Sequence, residues 1–280
     1  MEGTQTGHYA LAALDMDGTL LNTAHELTPY TREVLARAAG AEKVLALCTG
    51  RCLSELWEHF QNIPGIAYAI CENGGCLYDV RAGRKLYQYA IPAETANAIL
   101  DISGDYDVCV QCFIDGQSCM QIADVEALRP YHIYDYAGVF TAGSRFVRDA
   151  RALLRAGGSV EKINLYFADP AQKAEFARRA APLDLFVADS LGFGCEISPR
   201  EATKAAGLKR LCDRLGLKLS ESLAVGDGGN DVDLMRASGL GVAMGNAAVA
   251  VKAAADAVTE DCDHDGAAKA IARYMLGERV

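Results

Sequence analysis

Hydrophobic and polar stretches alternate along the first part of the chain at lengths typical of strands and helices. Short apolar runs, as in buried strands, are separated by longer amphipathic segments. The pattern predicts strands at Tyr9–Leu14, Lys43–Cys48 and Ala67–Cys71, and helices at Thr28–Ala39 and Cys52–Phe60. Strands that alternate with helices are typical of a parallel sheet with helices on its faces, so we expect an α/β fold.

The pattern changes after the third strand. Asn73-Gly74 predicts a tight turn, because these residues accept positive φ angles, and the arms of the predicted hairpin are Cys76–Val80 and Lys85–Ala90. From residue 91 to 189, strands and helices are mixed. The predicted helices there are Pro92–Ile102, Ser144–Ala156 and Pro170–Ala181, and the predicted strands are Asp107–Ile114, Ser118–Ile122, Lys162–Phe167 and Leu183–Ala188.

The alternation of helix and strand resumes after Ser190-Leu191-Gly192-Phe193-Gly194. The predicted elements are helices at Thr203–Leu215, Asp231–Ala237 and from Asp265, strands at Ser222–Val225 and Gly241–Ala243, and a packed Ala-rich helix within Ala247–Ala257. We therefore expect a Rossmann-like core with a parallel sheet, built from residues 1–83 and 191–280. Residues 84–190 are expected to form an inserted α/β domain.

Composition narrows the class of protein. The chain has 280 residues and a net charge of −10, which gives no general attraction to nucleic acid or to an anionic membrane. Met1–Gly7 lacks a basic region, and no apolar run approaches the length of a membrane span. Ten cysteines scattered through predicted strands and helices indicate reduced thiols, and Cys109 and Cys112 are expected to be structural although their spacing suits zinc. These features favour a soluble cytoplasmic protein.

Two carboxylates follow the first predicted strand. Asp15 and Asp17 lie where an open parallel sheet binds its ligands, at the carboxyl end of a strand. We expect their side chains to point to opposite sides, so that one serves as a nucleophile or metal ligand while the other transfers protons. Gly18 allows the backbone to bend away sharply. The pair suits phosphoryl transfer through an aspartyl-phosphate, and the alternative is an ordinary Asx turn after a strand.

Three further segments are expected near the same sheet edge. Thr49-Gly50-Arg51 follows the second strand and could hold phosphate, although Thr49 could equally be a helix N-cap. Lys204 begins a predicted helix, where it could neutralise a transferred phosphoryl group or be a surface lysine. The third segment, Gly226-Asp227-Gly228-Gly229-Asn230-Asp231, offers oxygen ligands that suit Mg²⁺. Asp231 replaces the last glycine of a dinucleotide fingerprint, which argues against a nicotinamide enzyme.

Taken together, these motifs resemble the haloacid dehalogenase superfamily, and within it the Cof-type phosphatases of subfamily IIB. Asp15-Met-Asp-Gly-Thr-Leu is similar to the first motif of the superfamily, Thr49-Gly-Arg to the second, Lys204 to the third, and Gly226-Asp227 with Asn230-Asp231 to the fourth. Glu72-Asn73-Gly74 and Gly241-Val-Ala-Met-Gly-Asn246-Ala also resemble recurring Cof-type segments. Around Lys204 the chain reads Glu-Ala-Thr-Lys-Ala, whereas the family commonly has Gly-Val-x-Lys-Gly. The resemblance implies an inserted cap of the C2B type.

The resemblance also implies roles for individual residues. Asp15 would attack phosphorus, and Asp17 would protonate the leaving group and then activate water. Thr49 and Lys204 would hold the phosphoryl oxygens. Mg²⁺ would be bound by Asp15, by the main-chain carbonyl of Asp17 and by Asp227. Supporting or phosphate-contacting roles would fall to Gly50, Asn230 and Asp231, and Arg51 and Asn73 would be candidate substrate contacts.

The expected function is that of a Mg²⁺-dependent phosphatase acting on a small phosphorylated metabolite. The substrate would be a sugar phosphate or a phosphorylated cofactor, such as pyridoxal phosphate or a flavin nucleotide. A phosphomutase of the same family and a non-catalytic metabolite-binding regulator are the alternatives. Tyr131, His132, Tyr134 and Tyr136 could contact substrate, but their alternate spacing favours a strand or packed loop. No oligomeric state is indicated.

Overall fold

The computed structural model describes residues 9–190 and 192–279, which form two compact units. The first comprises the described residues of Met1–Gly50, Glu58–Tyr87 and Ala202–Val280, and the second comprises Arg51–Trp57 and Gln88–Glu201. The expectation about Met1–Gly7 concerns a segment outside the described residues. Leu191, in the segment that follows the predicted strand Leu183–Ala188, also lies outside them.

The strands fall into two sheets. In chain order they are β1 Leu11–Leu14, β2 Val44–Cys48, β3 Ile66–Cys71, β4 Cys76–Asp79, β5 Arg84–Gln88, β6 Val108–Ile114, β7 Gln117–Gln121, β8 Ser144–Val147, β9 Val160–Phe167, β10 Leu185–Ser190, β11 Gly194–Pro199, β12 Ser222–Gly226, β13 Leu240–Ala243 and β14 Ala257–Val258. The first sheet has the order β14-β13-β12-β1-β2-β3-β4-β5, and the second has the order β10-β11-β9-β6-β7-β8.

The α-helices are α1 Pro29–Gly40, α2 Trp57–Asn62, α3 Ala93–Ser103, α4 Ala137–Gly143, α5 Ala150–Arg155, α6 Pro170–Ala180, α7 Lys204–Leu215, α8 Val232–Ala237, α9 Val249–Lys252 and α10 Gly266–Ala270. Caps fix the start of two of them. The Thr28 side chain accepts a hydrogen bond from the Thr31 amide at the start of α1, and Thr203 accepts one from the Ala206 amide at the start of α7. The second cap matters because Lys204 is the first residue of α7.

The centre of the first sheet is parallel and apolar. β1 is fully buried and pairs with β2 on one side and β12 on the other, in both cases in parallel. Strands covered on both faces read as near-continuous apolar runs, which is why they could be found in the sequence. The chain continues from β1 to β2 and β3 in one direction and returns to β12 on the opposite side. The strand order therefore reverses between β1 and β12, the position at which open α/β sheets bind ligands.

In the second unit, one face of a six-stranded sheet is covered by α3, α5 and α6. The buried contacts include Leu100 from α3, Leu154 from α5 and Phe176 from α6, packed on Ile163 and Leu165 of β9. The predicted α/β class with a parallel sheet is confirmed. The extent of the inserted domain stays a prediction, which we take up below.

Several predicted elements were wrong. Ser144–Ala156 is not one helix, because Ser144–Val147 is a strand parallel to β7 and α5 begins only after the Asp149 N-cap. The strand β11 was missed altogether; it lies between β9 and β10 in the sheet. Residues 52–60 form a short 3₁₀ helix, Leu53–Glu55, followed by α2. Of the predicted helix within Ala247–Ala257, only the four residues of α9 are helical.

The turn at Asn73-Gly74 was assigned to the wrong pair of strands. It joins β3 to β4, with Cys71 opposite Cys76 in antiparallel register, rather than β4 to β5. Asn73 and Gly74 do have the predicted positive φ angles, 55° and 102°. The aromatic stretch after Pro130 forms neither a strand nor an irregular loop, since Val125–Tyr131 and Tyr134–Tyr136 are 3₁₀ helices.

Candidate active site

Two of the predicted site carboxylates directly follow the two strands that flank the reversal of strand order. Asp15 comes directly after β1, and its amide donates to the Val225 carbonyl of β12 at 2.9 Å. Asp227 comes directly after β12. The parallel pairing of these strands therefore brings together residues that are more than 200 positions apart in sequence.

Lys204 is completely buried and connects two of the acidic residues. Its Nζ lies 2.5 Å from Asp15 Oδ1 and 2.6 Å from Asp231 Oδ1. The departure of the Lys204 segment from the usual family pattern has not removed the lysine from the acidic cluster. A buried ammonium between two carboxylates fixes their positions, because moving either one leaves a charge without its partner in a poorly solvated site.

The pKa values of this cluster reflect burial and charge. Burial raises the pKa of Asp15 to about 8, an effect that the neighbouring Lys204 ammonium opposes. Burial by itself lowers the pKa of Lys204, but the carboxylates of Asp15 and Asp231 outweigh it and raise that pKa above its ordinary value. Burial also raises the pKa of Asp227, and the Thr19 hydrogen bond opposes this. Lys204 thus stays charged, and a divalent cation among these carboxylates would favour their ionised forms.

Asp231 is held by backbone as well as by Lys204. Its Oδ2 accepts hydrogen bonds from the amides of Asp227 and Gly228, at 3.1 and 2.9 Å. A side chain at Gly226 would overlap the Asp231 carboxyl carbon, so the glycine leaves the room that this buried carboxylate requires. One oxygen of Asp231 accepts from Lys204 and the other accepts from the two loop amides, so this carboxylate is held in a fixed position.

Asp227 is positioned by the loop that follows β1. Thr19 Oγ1 donates to Asp227 Oδ1 at 2.8 Å. Gly18 has a φ of 75°, and a Cβ there would lie 2.6 Å from Asp227 Oδ2. Glycine is therefore required at position 18 for two reasons: the backbone turns with a positive φ, and the Asp227 carboxylate leaves no room for a side chain.

Oxygens of Asp15, Asp227 and Asp231 lie within 4.8 Å of one another, and this group could hold a metal ion. Carboxylate oxygens are hard donors that suit Mg²⁺, so the residues present fit the predicted ion. Asp231 is completely buried, and its oxygens already accept from the Lys204 ammonium and from two backbone amides, whereas Asp227 is only partly buried and its donors are neutral side chains. Asp15 and Asp227 are therefore the better candidates for direct ligation.

Asp17 differs from Asp15 in its surroundings. The chain leaves the strand at Leu14 and turns, so the separation of the two carboxylates comes from this turn; on a continuing strand, residues 15 and 17 would share a side. Asp15 is 8% exposed, whereas the Asp17 side chain is 43% exposed and its Oδ1 lies 3.7 Å from His25 Nδ1. A carboxyl group with access to water is suited to proton transfer.

Thr49 and Asn73 come from neighbouring strand ends of the same sheet. Thr49 is buried directly after β2, and its carbonyl accepts from the Asn73 amide at 3.0 Å. The Asn73 side chain accepts from Asn230 Nδ2 at 3.0 Å and lies beside Gly50. Four predicted residues are thus neighbours, while Arg51 is the first residue of the second unit.

Several residues of the site have no role that could be predicted from the sequence. Thr19 and Gly74 were part of quoted motifs, and Gly74 approaches the backbone of Thr203 so closely that a side chain there would overlap the Thr203 carbonyl oxygen. Asn246 was likewise quoted without a role, although its amide reaches Asp227. No motif in the sequence pointed to His25. Contacts between segments so far apart in the chain leave no mark in local spacing.

The family is decided by comparison with known proteins. A family model described as haloacid dehalogenase-like hydrolase matches residues 12–271. The chain belongs to the haloacid dehalogenase-like hydrolases. Its motif-based recognition is thereby confirmed, and the match spans both compact units.

Relatives with curated names support the prediction of a phosphatase. The chain is 32% identical to the HMP-PP phosphatase of Serratia proteamaculans, covering 85% of each sequence, and 28% identical to the pyridoxal phosphate phosphatase of Escherichia coli, covering 94% of this chain and 98% of the other. Among solved structures, a haloacid dehalogenase-like hydrolase from Bacteroides thetaiotaomicron has a TM-score of 0.82 at 26% identity, covering 95% of this chain and 99% of the other. The predicted enzyme class, a phosphatase of the haloacid dehalogenase family, is confirmed.

Two remaining expectations concern cysteines and membranes. Cys109 and Cys112 are buried in β6, and burial raises the pKa of each to about 12, as expected for structural thiols. Among the described residues, none of the helices combines the length and apolar character that crossing a membrane requires.

Proposed function

We propose that this protein is a Mg²⁺-dependent phosphatase that hydrolyses a small phosphorylated metabolite through a phosphoryl group carried on Asp15. The observation that carries the proposal is the cluster of Asp15, Lys204 and Asp231 at the reversal of strand order, with Asp227 on the adjacent strand end. The cluster combines a fixed carboxylate nucleophile, a buried cation and a group of carboxylates that could hold a metal ion, the components that phosphoryl transfer needs.

Asp15 is the proposed nucleophile. Lys204 fixes Asp15 Oδ1, so the second oxygen of the same carboxylate is available to attack phosphorus. The attack forms the bond from carboxylate oxygen to phosphorus and breaks the bond from phosphorus to the ester oxygen of the substrate. Lys204 keeps its positive charge throughout, and together with Thr49 it stabilises the charge on the phosphoryl oxygens.

Asp17 is the proposed general acid and base. In the first step its carboxyl group donates a proton to the departing ester oxygen. In the second it accepts a proton from the water that attacks phosphorus, while the bond from phosphorus to the Asp15 oxygen breaks and inorganic phosphate is released. Its partial exposure gives it the access to solvent that this exchange requires. The two aspartates thus take different parts in one reaction cycle.

Mg²⁺ would be held by Asp15, Asp227 and the main-chain carbonyl of Asp17, with Asp231 and Asn230 supporting the site. When bound, it supplies positive charge that neutralises the transferring phosphoryl group and orients it for in-line attack. The buried, mutually repelling carboxylates of the cluster are a reason for the site to accept a cation, since Lys204 alone neutralises only one of them.

The substrate class is proposed from the relatives. One is named for HMP-PP and another for pyridoxal phosphate, which are both small phosphorylated cofactors or precursors. We propose a phosphorylated cofactor or sugar phosphate for this chain, with Arg51 and Asn73 as candidate contacts. We also propose that the second compact unit, which includes Gln88–Glu201, is the inserted domain of the cap type expected at residues 84–190.

The test is phosphate release from a panel of sugar phosphates, nucleotides, pyridoxal phosphate and HMP-PP, with Mg²⁺ and with a chelator. Release that depends on Mg²⁺ and is lost in Asp15→Asn supports the proposal, and the ranking of substrates identifies the class. Release that persists in Asp15→Asn would contradict the proposed nucleophile, and release unaffected by the chelator would contradict the metal requirement.

A further inference from the structure

Asn246 connects three loops of the first unit. It lies in the segment that follows β13, and its Nδ2 donates to the Gly18 carbonyl at 2.8 Å and approaches Asp227 Oδ2 at 3.3 Å. Its Oδ1 accepts from the Cys262 amide at 3.1 Å. One exposed side chain thus ties the loop after β1, the loop after β12 and the segment around residue 262.

The contact with Asp227 complements the one made by Thr19. Thr19 Oγ1 donates to Asp227 Oδ1, and Asn246 Nδ2 faces Oδ2, so each oxygen of this carboxylate has one neutral donor. Neutral donors orient a carboxylate without cancelling its charge, so its ability to bind a cation is retained. A lysine in the place of Asn246 would instead compete with the cation.

The contact with Gly18 adds a second constraint. Gly18 is the residue after Asp17, whose main-chain carbonyl is a proposed Mg²⁺ ligand. By bonding the Gly18 carbonyl and Asp227 through the same amide nitrogen, Asn246 fixes the distance between the two loops that supply the ligands. The affinity for Mg²⁺ depends strongly on the spacing of the ligands, because this ion requires near-octahedral geometry.

We propose that Asn246 is a positioning residue for the metal site, one that sets the orientation of Asp227 and its spacing from the loop after β1. The inference rests on the proposed function, because it takes Asp227 as a Mg²⁺ ligand. Asn246 touches no reacting atom in this proposal and acts through Asp227 and Gly18.

The test is calorimetric titration of Mg²⁺ into the full chain, for the unsubstituted protein and for Asn246→Ala. Loss of an outer-shell partner typically weakens metal binding at least tenfold, so we expect a dissociation constant roughly tenfold higher in the variant. Turnover at low Mg²⁺ falls accordingly, and raising the Mg²⁺ concentration restores it while the KM for the ester stays unchanged.

Thr23→Val is the matched control. Thr23 Oγ1 donates to Asp263 Oδ1 at 2.8 Å, so it ties the same loop after β1 to the segment around residue 262 without approaching Asp227. The substitution removes one side-chain hydrogen bond between these two segments and leaves the Thr23 amide bond to Asp263 in place, whereas Asn246→Ala removes three. We expect its Mg²⁺ affinity to stay within about twofold of the unsubstituted protein.

An unchanged Mg²⁺ affinity in Asn246→Ala would overturn the inference, as would equal weakening in the control, because the effect would then be general loop loosening. Unsubstituted protein that binds no Mg²⁺ would overturn the inference together with the metal requirement. Intact Mg²⁺ binding without phosphate release from any ester would count against the proposed reaction only, since the calorimetric comparison would still decide the role of Asn246.

Discussion

At the scale of single residues, the site brings several carboxylates close to one ammonium group, that of Lys204. Asp15, Asp227 and Asp231 were all proposed as site residues from the sequence, because each lies in a short motif at the end of an apolar strand, and their oxygens lie within 4.8 Å of one another. That Asp231 shares Lys204 with Asp15 was not predictable, since the sharing depends on how α7 lies against the loop after β12. The role of Asn246 was hidden for the same reason.

Replacement of Asp15 by Asn tests the nucleophile. The change is nearly isosteric and leaves an oxygen for Lys204, so we expect normal folding with turnover reduced by more than about 10³-fold. Circular dichroism and phosphate release measure the two effects. Asp79→Asn is the matched control: Asp79 ends β4 and caps a turn through the Ala82 amide, so its turnover stays normal. Comparable losses in both variants would indicate a general defect.

The raised pKa of Asp15 predicts how stability depends on pH in the metal-free protein. The folded state holds the Asp15 proton up to about pH 8, whereas the ordinary pKa is 3.8. Between these values the unfolded chain binds fewer protons at this position, so the free energy of unfolding falls as pH rises. Asp15→Asn removes this contribution.

Thermal unfolding in the presence of a chelator measures the effect. The difference in melting temperature, variant minus unsubstituted protein, should grow in favour of Asp15→Asn from pH 4 to pH 8, the interval set by the two pKa values. A difference that is constant over this interval would show that burial does not hold the proton on Asp15.

At the scale of elements, the site depends on how closely the turn after β3 approaches α7. The apolar strands of the first sheet could be predicted because burial on both faces dictates their composition. The edge strand β8 was not found, since its four residues are partly buried or exposed. The strand β11 is largely buried but contains Gly194, Glu196 and Pro199, so it does not form a continuous apolar run in the sequence. The Asn73-Gly74 turn was recognised, but the strands it joins follow from pairing.

Gly74→Ala tests this close approach. Gly74 has a φ of 102° and its missing Cβ would overlap the Thr203 carbonyl oxygen, which is backbone and cannot rotate away. We expect a loss of roughly 2 kcal/mol or more in the free energy of unfolding, together with reduced turnover as Lys204 is displaced. Urea unfolding and phosphate release measure the two effects.

Gly83→Ala is the control for backbone strain alone. Gly83 also has a positive φ, 64°, but the nearest atom to its missing Cβ is 3.9 Å away. We expect a loss of about 1 kcal/mol and normal turnover. Equal losses of stability and activity in the two variants would show that the contact with Thr203 does not position Lys204.

At the scale of the whole molecule, one chain passes through the first unit, into the second and back. The change of pattern after β3 and the later return of alternating strands and helices predicted an inserted domain, and that assignment stays a proposal. The exact residues at which the compact units divide depend on packing. The second unit runs to Glu201 because β11 pairs with β9 and β10, and it contains Arg51–Trp57, where the Ser54 hydroxyl donates to the Gly143 carbonyl. Such pairing between strands cannot be predicted from the local composition of the sequence.

The most direct test of the central claim is to trap the phosphoryl group on Asp15. In Asp17→Asn the base that activates water is lost, so with an activated ester, which needs no proton on its leaving group, the aspartyl-phosphate should accumulate. After rapid quenching in acid and proteolysis, mass spectrometry should find one phosphoryl group on the peptide that contains Asp15. A phosphoryl group on another residue, or turnover of the activated ester at the unsubstituted rate with none trapped, would contradict the account.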